Sequence, residues 1–144
     1  MRVVFRVEGE PSIGHEVFFF MSQGSKHFCR NRTDWPAAIL PITDMDKSLE
    51  PEWLVKQCTN LQADWLVLDG YQFDQAYRQS LQSNKFKFAV FDDMNNSGAL
   101  YADMVINGAQ NAGLNGYQLT APKALLAIGR DYQVLRQEFL QLSN

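Results

Sequence analysis

The sequence predicts a three-layer, Rossmann-like α/β fold with a mainly parallel sheet. Three observations carry that expectation. Short apolar runs stop on a polar side chain at Trp65–Asp69 (WLVLD) and Phe88–Asp92 (FAVFD), and a third, Asp103–Asn107 (DMVIN), ends the same way. Uninterrupted runs of this length suit strands covered on both faces, as in a parallel sheet. Amphipathic helical patterns lie between such runs, which implies strand–helix–strand crossovers. Finally, the chain has 144 residues, 46% of them hydrophobic and 20% charged, the size and balance of one globular domain, here spanning 1–144.

The elements follow in order. Arg2–Val7 (RVVFRV) is β-branched and aromatic and reads as the first strand. Val17–Met21 (VFFFM) has strand propensity, and Ser22-Gln23-Gly24-Ser25 would break a helix there, so a strand is favoured over a helix. Only Glu8–His15 would then join the two strands, less than the dozen residues a helical crossover needs. A β-hairpin is therefore expected at the N-terminal edge, which would make the sheet mixed there. Pro51–Asn60 reads as a helix with Pro51 and Glu52 in its first turn and Trp53, Leu54 and Cys58 as its apolar positions. Asp74–Ser83 reads as a second helix, with Asp74 as N-cap and Tyr77 and Leu81 four apart. Ala124–Ile128 is a candidate fifth strand closed by Gly129. Asp131–Leu142 places Tyr132, Leu135, Phe139 and Leu142 on one helical stripe.

Composition excludes several function classes. A net charge of −3 gives no broad electrostatic grip on nucleic acid or anionic lipid. No unbroken apolar run exceeds five residues, far short of the roughly 20 that a membrane span needs. No secretory signal is read at the start, and Cys29 and Cys58 suggest neither a disulfide framework nor a zinc site. A cytoplasmic protein with no nucleic-acid or membrane partner, no metal and no cofactor is expected.

Candidate chemistry concentrates at strand ends. If the strands are parallel, Asp69-Gly70-Tyr71, Asp92-Asp93 and Asn107-Gly108 share one rim, where open α/β sheets bind ligands. The competing reading is that aspartate and asparagine cap turns after strands. His15, after Gly14, is a candidate base near neutral pH or a residue opening an edge strand. His27 reads as a surface residue and Cys58 as core. Cys29 stands among Lys26, Arg30 and Arg32 with no general base placed nearby. Gly108–Gly113 is read as a loop, since no clear helix follows to make a phosphate cradle.

Several segments together resemble the N-terminal half of the UDP-sugar hydrolases of pseudaminic acid biosynthesis. The matching pieces are Val4-Phe5-Arg6-Val7, Asp64–Tyr71 (DWLVLDGY), Phe91-Asp92-Asp93, Ala102–Asn107 (ADMVIN) and Tyr132–Phe139 (YQVLRQEF). The resemblance implies one half of a two-domain, glycosyltransferase-like fold. It also implies cleavage of UDP from UDP-2,4-diacetamido-2,4,6-trideoxy-β-L-altropyranose. Ile13-Gly14-His15 is similar to the family's catalytic loop, although Phe18 stands where that loop carries arginine. Asp69-Gly70-Tyr71 stands at the family's D-H-Y without its histidine. On this resemblance His15 would be the base, and Asp69, Tyr71 and Asp92 would orient the sugar. Asp93 and Asn107 would line the same site, and Arg6 or Arg130 would supply positive charge. The family holds UDP mainly through a second domain, and the match ends near Phe139. The expectation is therefore a stand-alone, non-catalytic domain that acts as a homodimer or as a protein- or sugar-binding module. The alternative is a hydrolase, or a hydrolase subunit completed by a second protein. The three successive rings Phe18, Phe19 and Phe20 are expected to leave an apolar face for a dimer.

Overall fold

The computed structural model describes residues 2–7, 16–22, 38–42, 44–82 and 85–134. Their strands form one seven-stranded sheet in which every neighbouring pair is parallel. They are β1 (Arg2–Val7), β2 (Glu16–Met21), β3 (Ala38–Pro41), β4 (Trp65–Asp69), β5 (Lys87–Phe91), β6 (Met104–Asn107) and β7 (Leu125–Ile128). Their spatial order is β3-β2-β1-β4-β5-β6-β7. The chain steps outward from β1 to β3, returns past β1, and steps outward again from β4 to β7. That order is the Rossmann-like α/β architecture which the apolar runs predict.

The expected hairpin is a correction. β1 and β2 run parallel, with Arg2 opposite Glu16 and Phe5 opposite Phe19. Parallel crossovers usually take a dozen or more residues because they usually carry a helix, and this pair falls below that usual length. Eight residues reach about 26–29 Å when extended, whereas six strand residues rise only about 20 Å. The linker is long enough to return the chain without a helix. The strand reading of Val17–Met21 holds, and β2 is an interior strand between β3 and β1. Phe19 and Phe20 are both buried within the single chain, and Phe18 packs partly buried against the core. The dimer face expected at these rings is therefore covered internally.

Helix α1 (Glu50–Asn60) starts with Pro51 in its first turn, where the missing N–H costs nothing, and with Glu50 and Glu52 near its positive end. Its buried stripe is Pro51, Leu54 and Cys58. Helix α2 (Gln75–Ser80) is capped by Asp74, whose carboxylate accepts the Tyr77 N–H at 2.9 Å. It stops three residues before the expected end, and Leu81 follows it into the core. The crossovers from β3 to β4 and from β4 to β5 move in the same direction across the sheet, so right-handed connections put both helices on one face. Accordingly Leu54, Cys58, Tyr77 and Leu81 share one buried cluster with Leu66, Leu68, Phe88 and Val90. The Tyr77 hydroxyl joins the two helices by donating to Glu50 Oε1 at 2.7 Å. Trp53 packs edge-on against Phe20, ring centroids 5.2 Å apart. Val67 and Ala89 point to the opposite face, beside Trp65, Phe91, Met104 and Ile106. That alternation explains why β4 and β5 read as unbroken apolar runs.

The last described segment departs from expectation. Arg130–Tyr132 is a single 3-10 turn, and Gln133 is extended, so the helix expected from Asp131 does not begin there. Residues 135–142 of that expectation lie outside the described residues. Gln133 returns across the end of β6, and a Cβ on Gly108 would stand 2.6 Å from its Cα. Gly108 is thus required by close backbone approach, not by its own conformation. Among the described residues no helix is long and apolar enough to cross a membrane.

Candidate functional site

Sheet order locates the site. The order in which strands are added reverses between β1 and β4, and in open α/β sheets a crevice forms outside the carboxyl ends of the strands at such a point. A cleft of about 300 Å³ lies along the ends of β4 and β5, next to this reversal. Asp69, Gly70 and Tyr71 form one wall, and residues 91–94 with Asn96 and Ser97 form the other. Phe73, Val90 and Arg78 lie beneath.

The floor is built by a buried arginine. Arg78 is 3% exposed and lies on the α2 stripe between Tyr77 and Leu81. Its Nη1 donates to the Phe73 carbonyl, its Nη2 to the Ser97 carbonyl at 2.7 Å and the Ala99 carbonyl at 3.1 Å, and its Nε to the Ala99 carbonyl at 3.4 Å. Burial pulls the guanidinium below its ordinary value, while Asp92 and Asp74 act in the opposite sense. Arginine remains charged even so. The loop after β5 cannot form its own ladder, and Arg78 supplies the donors that its carbonyls need. Gln75 adds to this by accepting the Ala99 N–H at 3.0 Å. Gly98, at φ +83°, lets the loop pass over the Gln75 side chain.

A second network fixes the carboxylates. Tyr117 opens the short helix α3 (Tyr117–Thr120) and is buried. Its hydroxyl donates to Asp92 Oδ2 at 2.6 Å and accepts from Asn107 Nδ2 at 2.8 Å. Burial, followed by the bond to Asp92, pushes this hydroxyl up to about 12. The Asn95 N–H also donates to Asp92 Oδ2, at 2.7 Å. Asn107 Nδ2 and Asn115 Nδ2 both reach the Asp93 carbonyl, at 3.2 and 3.0 Å.

The outer wall is open. Tyr71 is 88% exposed, and its hydroxyl donates to Asp93 Oδ2. That bond pushes the Tyr71 hydroxyl upward, and the Asp93, Asp69 and Asp92 charges add to the effect. Burial, and then the neighbouring Asp93 charge, raises the Asp69 carboxyl above its ordinary value. The Asp69 carboxylate and the Oδ1 atoms of Asp92 and Asp93 accept no hydrogen bond from the described residues. Acceptors are therefore available at the cleft. Its cation, Arg78, is committed to main-chain carbonyls.

The structure brings four of the sequence-selected residues together at this cleft: Asp69, Tyr71, Asp92 and Asp93. Asn107 lies behind them, 2% exposed, as a buried support. Arg130 is exposed in the turn after β7 and does not line the cleft. His15, His27 and Cys29, and the side chain of Arg6, lie outside what is described. Cys58 is buried in the core, where desolvation pushes its thiol up to about 12. Sequence reasoning missed Arg78, Tyr117 and the amides of Asn95 and Asn115. Arg78 alone carried a signal, since it is a charged residue on the apolar stripe of an otherwise regular helix pattern.

No family model and no curated protein matches the sequence.

Proposed function

We propose that this chain is a sugar-binding α/β domain of the nucleotide-sugar hydrolase type, which binds its ligand at the rim of β4 and β5 and works as a homodimer. The observation that carries the reading is the cleft beside the order reversal, where Asp69, Asp92 and Asp93 surround an exposed Tyr71 ring. Carboxylates accept hydrogen bonds from hydroxyl, amide or ammonium groups. An exposed aromatic face supplies apolar area with little conformational entropy to lose. The clamped loop supports binding too, because a preformed wall avoids the cost of ordering it on association.

Charge narrows the ligand. A phosphate in this cleft would face three aspartates, and Arg78 has turned its donors to carbonyls. The part held here is accordingly a neutral or cationic amino sugar, not a diphosphate. A catalytic reading has one observation in its favour. The raised Asp69 carboxyl is the kind of group that exchanges protons nearer neutral pH.

Amide NMR on the full chain tests the proposal, with glucosamine, N-acetylglucosamine and UDP as separate probes. The expected result is perturbation of Gly70, Tyr71, Met94 and Asn96 by an amino sugar and none there by UDP. Perturbation by UDP alone, or no response at the rim to either sugar, would overturn it. Release of UDP from a UDP-linked amino sugar, lost in Asp69→Asn, would establish the catalytic reading instead.

A further inference from the structure

An asparagine followed by glycine is open to attack by the next main-chain nitrogen on its side-chain amide, because glycine has no Cβ to block the closing ring. Two such pairs occur in the chain, Asn107-Gly108 and Asn115-Gly116. The fold treats them differently. Asn107 is buried, and both ends of its amide are held. Its Nδ2 donates to the Tyr117 hydroxyl and the Asp93 carbonyl, and its Oδ1 accepts the Ala109 N–H at 3.0 Å. Its carbonyl accepts the Gly129 N–H at 2.8 Å, and Gly108 is pressed against the Gln133 backbone. The peptide between Asn107 and Gly108 cannot turn without breaking that bond to Gly129.

Asn115-Gly116 is looser. It joins the 3-10 turn Ala112–Leu114 to α3, and its neighbours Gly113 and Leu114 are exposed. Gly116 sits at φ +75°, and a Cβ there would meet nothing within 4 Å. Its N–H makes no hydrogen bond among the described residues. The Asn115 carbonyl accepts from the Asn95 side-chain amide at 2.6 Å, and Asn115 Nδ2 donates to the Asp93 carbonyl at 3.0 Å. Release of these side-chain bonds frees the peptide to turn its nitrogen toward the Asn115 amide.

We propose that Asn115 is a spontaneous modification site, which converts to aspartate and isoaspartate through a succinimide and thereby loosens the Asp93 wall of the cleft. The Gly116 nitrogen attacks Asn115 Cγ. The N–Cγ bond forms, the Cγ–Nδ2 bond breaks, and Nδ2 leaves as ammonia with the proton that Gly116 N gives up. Water then opens the ring. Cleavage of the new N–Cγ bond leaves aspartate. Cleavage of the bond from Gly116 N to the Asn115 main-chain carbonyl carbon leaves isoaspartate, with the chain rerouted through Cγ. Both products lose the donor to the Asp93 carbonyl and gain a carboxylate, beside a cleft that already carries Asp69, Asp92 and Asp93.

Incubation of the full chain in mildly alkaline buffer, with proteolytic mapping by mass spectrometry, tests the proposal. Conversion at Asn115 is expected to be at least about tenfold faster than at Asn107, a barrier difference of about 1.4 kcal/mol. In urea the two pairs should convert at similar rates. Gly116→Asn has room for its side chain and tolerates the left-handed region, so it should keep the fold and suppress the reaction. In the converted wild type the Met94 amide, which shares a peptide unit with the Asp93 carbonyl, should shift by NMR. Equal conversion at Asn107 and Asn115 in the folded chain, or none at Asn115, would overturn the site. An undiminished rate in Gly116→Asn would overturn the succinimide route. If that variant unfolds, isoaspartate in the wild-type digest decides, since direct hydrolysis of the amide gives aspartate only. An unmoved Met94 amide in the converted chain would overturn the effect on the wall.

Discussion

Two tyrosine–aspartate pairs use neighbouring carboxylates of one cleft wall, Asp92 and Asp93, and do different work. Tyr117 is 2% exposed, and its hydroxyl sits between Asp92 and Asn107. Tyr71 is 88% exposed, and among the described residues its hydroxyl reaches only Asp93. Chemistry is the same in the two pairs, and burial separates them. A buried hydroxyl has to satisfy its hydrogen bonds inside the protein, so Tyr117 anchors a loop. A solvated hydroxyl loses little when its partner is exchanged, so Tyr71 remains available to a ligand. The rim of an α/β sheet thus holds scaffold and recognition groups side by side, and residue type alone does not sort them.

The sharpest way to break this comparison is to remove the floor of the clamped side. Arg78→Met strips the guanidinium donors from the Phe73, Ser97 and Ala99 carbonyls. A loss on the order of 3 kcal/mol or more in denaturant stability is expected. Less than about 1 kcal/mol would mean that the loop does not depend on this clamp.

Gly108→Ala probes the close approach of Gln133. The added methyl meets backbone, which cannot rotate away, so a cost of about 1–3 kcal/mol is expected. Tyr117→Phe should cost about 1–2 kcal/mol, since it takes one donor from Asp92 and leaves Asn107 with its bond to the Asp93 carbonyl. Tyr71→Phe loses a solvated hydrogen bond only, and its melting temperature should stay with the wild type. If Tyr117→Phe and Tyr71→Phe shift the melting temperature equally, the division into anchor and recognition pair fails.

The smallest effect concerns pH. Burial raises the Asp69 carboxyl in the folded state above its ordinary value of 3.8. Between those two values the folded state holds more protons than the unfolded state, so stability falls as pH rises through that window. Asp69→Asn removes this loss. Its stability relative to wild type should therefore be more favourable at pH 7 than below the ordinary carboxyl value. Urea unfolding at both pH values measures it, and an unchanged difference would show that Asp69 is not desolvated.

Legibility in the sequence followed the same division. Trp65–Asp69 was readable to the residue, because a strand buried on both faces leaves an unbroken apolar run. β5 was displaced by one residue, since Lys87 pairs in the ladder with an exposed side chain that apolarity does not reveal. β3, with Pro41 and only four residues, carried no usable pattern. The hairpin expectation fails because an eight-residue linker, extended, is long enough to return the chain for a parallel strand. The carboxylates of the rim were visible as strand-ending residues, whereas their supports were not. Tyr117 and Asn115 reach Asp92 and Asp93 from more than 20 positions away, and no local spacing encodes that contact. The triplet Phe18–Phe20 puts apolar surface on both faces of its strand, which reads as an interface, whereas the single chain itself buries Phe19 and Phe20 and packs Phe18 against the core.

Calorimetric titration of glucosamine or N-acetylglucosamine into the wild type and Tyr71→Ala tests the central claim most directly. The account predicts binding by the wild type, and a loss of at least about tenfold in Tyr71→Ala, equivalent to about 1.4 kcal/mol. The melting temperature should stay unchanged, because the ring is exposed. Equal affinity in the two proteins, or a fall in melting temperature that accounts for the lost binding, would contradict it.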